Sequence, residues 1–260
     1  MFIKYYNDMF IGDNKNHTGR QLLIYGYLFM HRNMRDEVNF SLEELIQGCG
    51  SSLNRHTGKT NELYYQDLKY IIEQNKSGHF NISTKKFIKQ INLTDRIILY
   101  LGDIIIDGEK HTQLLFEEYD IITTSNYKRK DNLLLTYLYL KSHFFERKLI
   151  KDEYNKIIGE EGTPKDNPVG YAIDYKNIST DIGLSINTVI SAINYLCGLK
   201  LLYVYKTGGY KNDKGKIQNA PNIYTPYDKQ NEAVYILDKL KEKYKVDRFY
   251  EIKNKRNKGD

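Results

Sequence analysis

Apolar residues recur at helical spacing along much of the chain, and the clearest run of such elements lies between residues 131 and 228. Asp131 is placed to cap a helix from Asn132 to about Phe145, with Leu134, Tyr137, Leu138 and Lys141 along a buried stripe and its flank. Gly159 to Gly170 is polar with Gly and Pro and predicts an exposed loop. Tyr171-Ala172-Ile173 predicts a short strand. Tyr175 to Ile182 predicts a helix, and Gly183 supplies a turn residue able to take a positive φ. Ser185 then caps a second helix, with Ile186, Val189, Ile190, Ile193, Leu196 and Cys197 on its inner side. Its other side carries Asn187, Thr188, Ser191, Asn194 and Tyr195, all hydrogen-bonding and none acidic. Gly198 to Lys206 predicts a helix end and a strand, and Asn222 to Pro226 the returning strand. Between them lies a tip rich in glycine and lysine, Gly208 to Lys216.

A weaker copy of this order occupies residues 20–95. Arg20 to His31 predicts an apolar helix and Val38-Asn39-Phe40 a strand, and Ser41 with Glu44 forms a capping-box signature. Leu42, Leu45 and Ile46 face inward, Gly48-Cys49-Gly50 ends that helix, and Ser51 to Thr57 is a polar loop. A long helix follows from about Gly58 to Gln74, with Leu63, Tyr64, Leu68, Ile71 and Ile72 as its core stripe. Gly58-Lys59-Thr60 is not a P-loop, because Leu53 stands where the motif needs glycine and no strand precedes it. Free backbone N–H groups at that helix start, beside Arg55, His56, Lys59 and Thr60, instead favour a phosphate. Three strand-like runs come next, Arg96 to Leu101, Asp103 to Asp107 and Thr112 to Phe116, with an Asp107-Gly108 turn, and are expected to extend this copy's hairpin into a small sheet. Ser125 to Lys130 reads as a basic linker.

Charge and chemistry narrow the picture. Nine basic residues between Lys239 and Lys258 face only Glu242, Asp247 and Glu251, so the net charge of +6 is concentrated in the C-terminal tail. The hairpin tip with Lys206 adds four lysines against Asp213. Tyr 24 with Trp 0 fits the codon bias of an AT-rich genome as well as tyrosines that stack on bases. Cys49 and Cys197 lie among apolar residues as expected free thiols, which fits a reducing compartment. The six histidines are scattered, with no HxH or HExxH, so no metal is expected. Adjacent acids such as Glu43-Glu44, Glu117-Glu118 and Glu160-Glu161 do not face one another on a helix. No GxSxG or GxGxxG occurs and nothing selects a nucleophilic tyrosine, so a non-enzyme without cofactor is expected. Met1 to Asp8 lack the regions of a signal peptide and no apolar run approaches about 20 residues, which predicts a soluble cytoplasmic protein without membrane contact.

The segment Ile178-Ser179-Thr180-Asp181-Ile182-Gly183-Leu184-Ser185-Ile186-Asn187-Thr188-Val189 resembles the helix–turn–helix of bacterial winged-helix DNA-binding proteins. Gly198-Leu199 to Leu202 and Asn222-Ile223-Tyr224 resemble their strand-and-wing ending. The resemblance covers about 60 residues. It implies an α+β, mainly helical fold with two winged helix–turn–helix modules in tandem, each with a small β-hairpin wing. The expected divisions are 1–124, an N-terminal module with extra hairpins; 125–228, the C-terminal module; and 229–260, a helix and basic tail.

The implied function is sequence-specific binding of double-stranded DNA. Ser185, Asn187, Thr188, Ser191 and Asn194 would lie nearest base edges, and Lys206, Lys211, Lys214 and Lys216 on phosphates or in the adjacent minor groove. Arg55, Lys59, Thr60 and Asn61 of the first module would sit on a neighbouring segment. Two such modules in one chain of this composition resemble the replication initiators of plasmids and phages from low-GC Gram-positive bacteria, which implies a homodimer or replication proteins as further partners. A transcriptional regulator remains the alternative within the class. A winged-helix protein–protein module that never touches DNA is the alternative outside it.

Overall fold

The chain forms two units, Met1–Tyr139 and Leu140–Asp260. The computed structural model describes residues 1–11, 17–54, 59–73, 82–84, 92–102, 110–144, 149–151, 157–212 and 214–251. Both units mix helices with small antiparallel sheets, as an α+β chain should. Among the described residues no helix is long and apolar enough to cross a membrane.

The first unit contains β1 (Phe2–Tyr6), α1 (Gly19–Met30), β2 (Glu37–Ser41), α2 (Leu42–Gly48), α3 (Lys59–Glu73), β3 (Ile82–Thr84), β4 (Arg96–Leu101), β5 (His111–Leu115), α4 (Phe116–Thr124) and most of α5 (Lys130–Ser142). Helix α1 is its centre. Residues Gln21 to Leu28 are buried on every side, the signature of a helix enclosed by other elements. Gly26 permits that enclosure, because a Cβ there would strike the Tyr119 ring and the Tyr5 hydroxyl. The same two tyrosines donate hydrogen bonds to α1 carbonyls, Tyr5 to Leu22 (3.1 Å) and Tyr119 to Leu23 (2.7 Å). Buried phenols thereby satisfy their hydroxyls while filling the core. A polar node ties α1 to α3, where Asp67 accepts from Arg20 and from Gln21 Nε2 (3.0 Å).

Strands β2, β4 and β3 form a sheet in that order, with Val38 opposite Leu99 and Ser83 opposite Tyr100. The expected strand Arg96 to Leu101 therefore lies at the centre of this sheet. The run at Thr112 does not extend it: β5 pairs instead with β1, Ile3 opposite Leu114, in a separate two-stranded sheet. Local alternation identifies a strand but carries no information on its partner, and β1 is distant in sequence. Asp103 to Asp107 and the Asp107-Gly108 turn lie outside the described residues.

The second unit contains β6 (Leu149–Lys151), β7 (Ile157–Glu160), β8 (Tyr171–Ile173), α6 (Tyr175–Ile182), α7 (Ile186–Gly198), β9 (Leu202–Tyr205), β10 (Gly209–Lys211), β11 (Ile217–Asn219), β12 (Asn222–Pro226) and α8 (Ala233–Tyr244). Its sheet runs β8, β12, β9, with Ile223 opposite both Ala172 and Tyr205. Side chains alternate along β12. Ile223 packs with Ala233, Ile236 and Leu240 of α8, while Tyr224 is fully buried and accepts from Asn222 Nδ2 (3.4 Å). Counting only the strands of its three-stranded sheet, each unit runs strand, helix, helix, strand, strand in first–third–second sheet order, the second unit inserting β10 and β11 before its last strand. The boundary between units falls within α5, the helix that the sequence placed inside a module beginning at 125. Asp131 lies in the first turn of α5 rather than before it, and its carboxylate accepts from Arg129 Nε (3.0 Å) and Nη2 (2.9 Å).

The capping box is present as the sequence predicts. Ser41 Oγ accepts from the Glu44 N–H (3.2 Å), and Glu44 Oε2 accepts from the Ser41 N–H (2.8 Å) and from Arg96 Nη1 (2.6 Å). The Arg96 and Ser41 hydrogen bonds hold the Glu44 carboxyl below its ordinary range. A lowered folded-state pKa contributes stability above the unfolded pKa and loses it as pH falls through the folded one. Glu44→Gln keeps an acceptor and removes the charge, so Tm at neutral pH should fall by less than about 4 °C, given the exposure of the pair. The gap between wild type and variant should close on acidification, which thermal melts at pH 7 and pH 3 will read.

Candidate nucleic-acid interface

The turn between α6 and α7 is built from short-range hydrogen bonds. Asp174 Oδ1 accepts from the Asn177 N–H (2.8 Å) and starts α6, whose Ile178 and Ile182 are buried. Gly183 takes the left-handed conformation, φ 70 and ψ 29, and closes the helix by donating to the Ser179 carbonyl (3.0 Å). The Leu184 N–H donates to the same carbonyl (3.2 Å), and Ser179 Oγ donates back to the Leu184 carbonyl (2.6 Å). Ser185 then caps α7, its Oγ accepting from the Thr188 N–H (3.2 Å) and lying 2.8 Å from Thr188 Oγ1.

Helix α7 divides cleanly by face. Val189, Ala192, Ile193 and Leu196 are buried, whereas Ser185, Asn187, Ser191 and Asn194 are exposed and Thr188 is half-buried. None of the residues from Ser185 to Leu199 is an acid. Ile186 departs from the expectation that it faces inward, being 43% exposed. Its spacing aligns it with Val189 and Ile193, but it stands in the first turn. Periodicity fixes a helix face and not how far the neighbouring elements extend along it. Cys197 is half-buried; burial raises its thiol pKa, which the Val204 backbone and Lys206 lower in part.

The lysine-bearing hairpin is β10 and β11, paired Gly209 to Asn219 and Lys211 to Ile217. Its tip is folded by Asn212, whose Oδ1 accepts from the N–H groups of Lys214 (3.1 Å) and Lys216 (3.0 Å). Lys206, Lys211, Lys214 and Lys216 are all exposed. The C-terminal segment joins this hairpin, a feature the sequence reading did not contain. Gly209 and Tyr250 exchange backbone hydrogen bonds of 2.8 and 2.7 Å, adding a bridge to the outer edge of β10. Tyr210 packs on Tyr244 (4.5 Å between ring centroids) and lies edge-on to Phe249 (6.4 Å), and the Arg248 guanidinium covers the Tyr250 ring (5.3 Å). Aromatic residues inside a basic tail, Tyr244, Phe249 and Tyr250, were the available signal, since a solvated tail has no need of them.

Of the first-module residues, only Asn61 has a side chain among those described. Arg55 lies outside the described residues, and Lys59 and Thr60 begin α3 with side chains that are also outside them. The Asn61 amide is engaged with the Asn54 main chain, accepting from its N–H (3.2 Å) and donating to its carbonyl (3.1 Å). Glu62 and Glu73 are exposed on α3, so this helix presents carboxylates where α7 presents none.

Packing accounts for part of the tyrosine-rich composition. Tyr5, Tyr25, Tyr119, Tyr139 and Tyr224 are fully buried, and burial pushes the phenols of Tyr5, Tyr119 and Tyr224 above their ordinary range, so they stay protonated. Among the described residues no group of three or more His, Cys, Asp or Glu is placed to hold a metal ion. Comparison with protein-family models, with curated proteins and with solved structures returned no match.

Attachment of the tail depends on Gly208, which sits at φ +92 and where an added Cβ would collide with the Tyr250 carbonyl oxygen. Gly208→Ala should therefore release the Tyr250 bridge. Amide hydrogen exchange at Gly209 and Tyr250 is expected to accelerate about tenfold or more, with protection along β12 unchanged.

Proposed function

We propose that residues 140–260 form a winged helix–turn–helix module that binds double-stranded DNA with sequence preference. The observation that carries this reading is the acid-free polar face of α7, open to solvent, in a module whose hairpin bears the exposed Lys211, Lys214 and Lys216, with exposed Lys206 just before it. B-DNA's major groove, about 12 Å wide, admits one helix, and its base edges are read by short hydrogen-bonding side chains. Asn187 and Asn194 suit adenine N6/N7, with Ser185 and Ser191 beside them. Lys206, Lys211, Lys214 and Lys216 neutralise phosphates, which supplies affinity without sequence information. The tail bridge at Tyr250 braces the hairpin that carries the last three.

The repeated strand–helix–helix–strand–strand order supports a tandem winged-helix chain. The helix at the corresponding place in that order, α3, carries exposed Glu62 and Glu73, so the first module contributes a weaker DNA contact or a docking surface. The biological role we propose is replication initiation of the plasmid or phage type, carried by tandem architecture alone.

Duplex binding has a distinctive salt signature. With about six phosphates neutralised, log K should fall against log salt with a slope near −5. A flat response, or no duplex binding at low salt, favours the protein-docking role. Duplexes selected from a random pool then separate the two kinds of contact. Asn187→Ala should relax preference at one base pair, by about 1–3 kcal/mol, whereas Lys214→Ala should weaken all duplexes alike and reduce the salt slope by about 1. The reverse pattern would overturn the assignment of α7 and the hairpin.

A further inference from the structure

The one apolar residue exposed on the outer part of α7 has a chemical complement in a major groove. Ile186 is 43% exposed, directly between exposed Ser185 and exposed Asn187. Leaving a large aliphatic side chain in water at the start of a helix forfeits the stabilisation that its burial would give. Its χ1 is stiff because Ile is β-branched, so little rotamer freedom remains to be lost on contact. Ile190, one turn further on at the (i, i+4) position, is half-buried. Base edges in the major groove present one apolar group, the C5-methyl of thymine, beside the N6/N7 pair of adenine that an amide side chain matches.

We infer that Ile186 is a specificity-determining residue that packs on a thymine methyl, with Asn187 beside it on adenine, so that α7 selects a site containing A·T pairs. The inference rests on the duplex-binding reading above and adds to it the base identity and the residue that reads it. It differs from hydrogen-bond readout in a testable way, since it depends on a single methyl group. The lysines of the hairpin cannot produce such dependence, because phosphates are the same at every base pair.

The probe is 2′-deoxyuridine, which lacks only that methyl. In a duplex selected by the wild-type protein, each thymine is replaced in turn and affinity is measured at fixed salt. One or two positions should lose about three- to fivefold, the value of one buried methyl. Ile186→Ala should bind the unmodified duplex with a similar loss and show no further penalty for deoxyuridine at that position, the non-additivity of a direct contact. Ile186→Val, which keeps the β-branch, should retain most of the penalty, and Asn187→Ala should retain it in full. Because Ile186 is exposed, melting temperatures of these variants should match wild type and so exclude unfolding as the cause. A selected site made of G·C pairs alone, a duplex indifferent to every deoxyuridine, or an Ile186→Ala variant with the full penalty overturns the inference while leaving duplex binding intact. Failure of the wild-type protein to bind any duplex at low salt removes the duplex-binding reading itself.

Discussion

One left-handed residue governs the geometry of the candidate interface. Gly183, at φ 70, lets the chain leave α6 and enter α7 within three residues, with the Ser179 carbonyl collecting two N–H groups across the turn. A side chain with a Cβ would adopt that conformation at a cost, and the cost would appear at the start of α7. Everything downstream follows from where α7 begins. Val189, Ala192, Ile193 and Leu196 bury one face, and the residues between them are left to solvent by the 3.6-residue period.

The two units use one element order for different surfaces. In the first, α1 is enclosed on all sides, and tyrosines from β1 and α4 supply both bulk and hydrogen bonds to its backbone. In the second, the sheet is covered on one face by α8, while the hairpin leaves its lysines exposed. The contrast extends to the third element of each repeat. Helix α3 holds Asp67 in a buried node with Arg20 and Gln21, and exposes Glu62 and Glu73. Helix α7 has no carboxylate to bury or expose, and a polyanion meets no repulsion there.

The hairpin is more than a lysine carrier. Asn212 folds its tip through two N–H groups, and Tyr250 extends its edge while Tyr244 and Phe249 pack on Tyr210. A two-stranded hairpin alone is marginal in water. The added strand bridge and aromatic contacts make the basic tail a brace for the positions of Lys211, Lys214 and Lys216.

Local chemistry was legible in the chain itself wherever the deciding partners are close in sequence. The capping box of Ser41 and Glu44, the Gly183 turn, the Ser185 cap and the split of α7 into apolar and polar faces all rest on contacts within about one helical turn. Tertiary structure alone decided the features whose partners are remote. Pairing of β5 with β1 joins residues more than a hundred positions apart, and the bridge from Gly209 to Tyr250 crosses two further strands and a helix. The exposure of Ile186 belongs to the same group, because periodicity assigns it a face but only the packed neighbours determine whether that face is covered. Asn61 is the converse case: a polar residue suited by type to a base edge is instead occupied by the main chain of Asn54, a loop contact that no helical pattern encodes. Propensity and capping act over a few residues, whereas burial depends on which distant segments arrive, and that is decided by the cooperative packing of the whole unit.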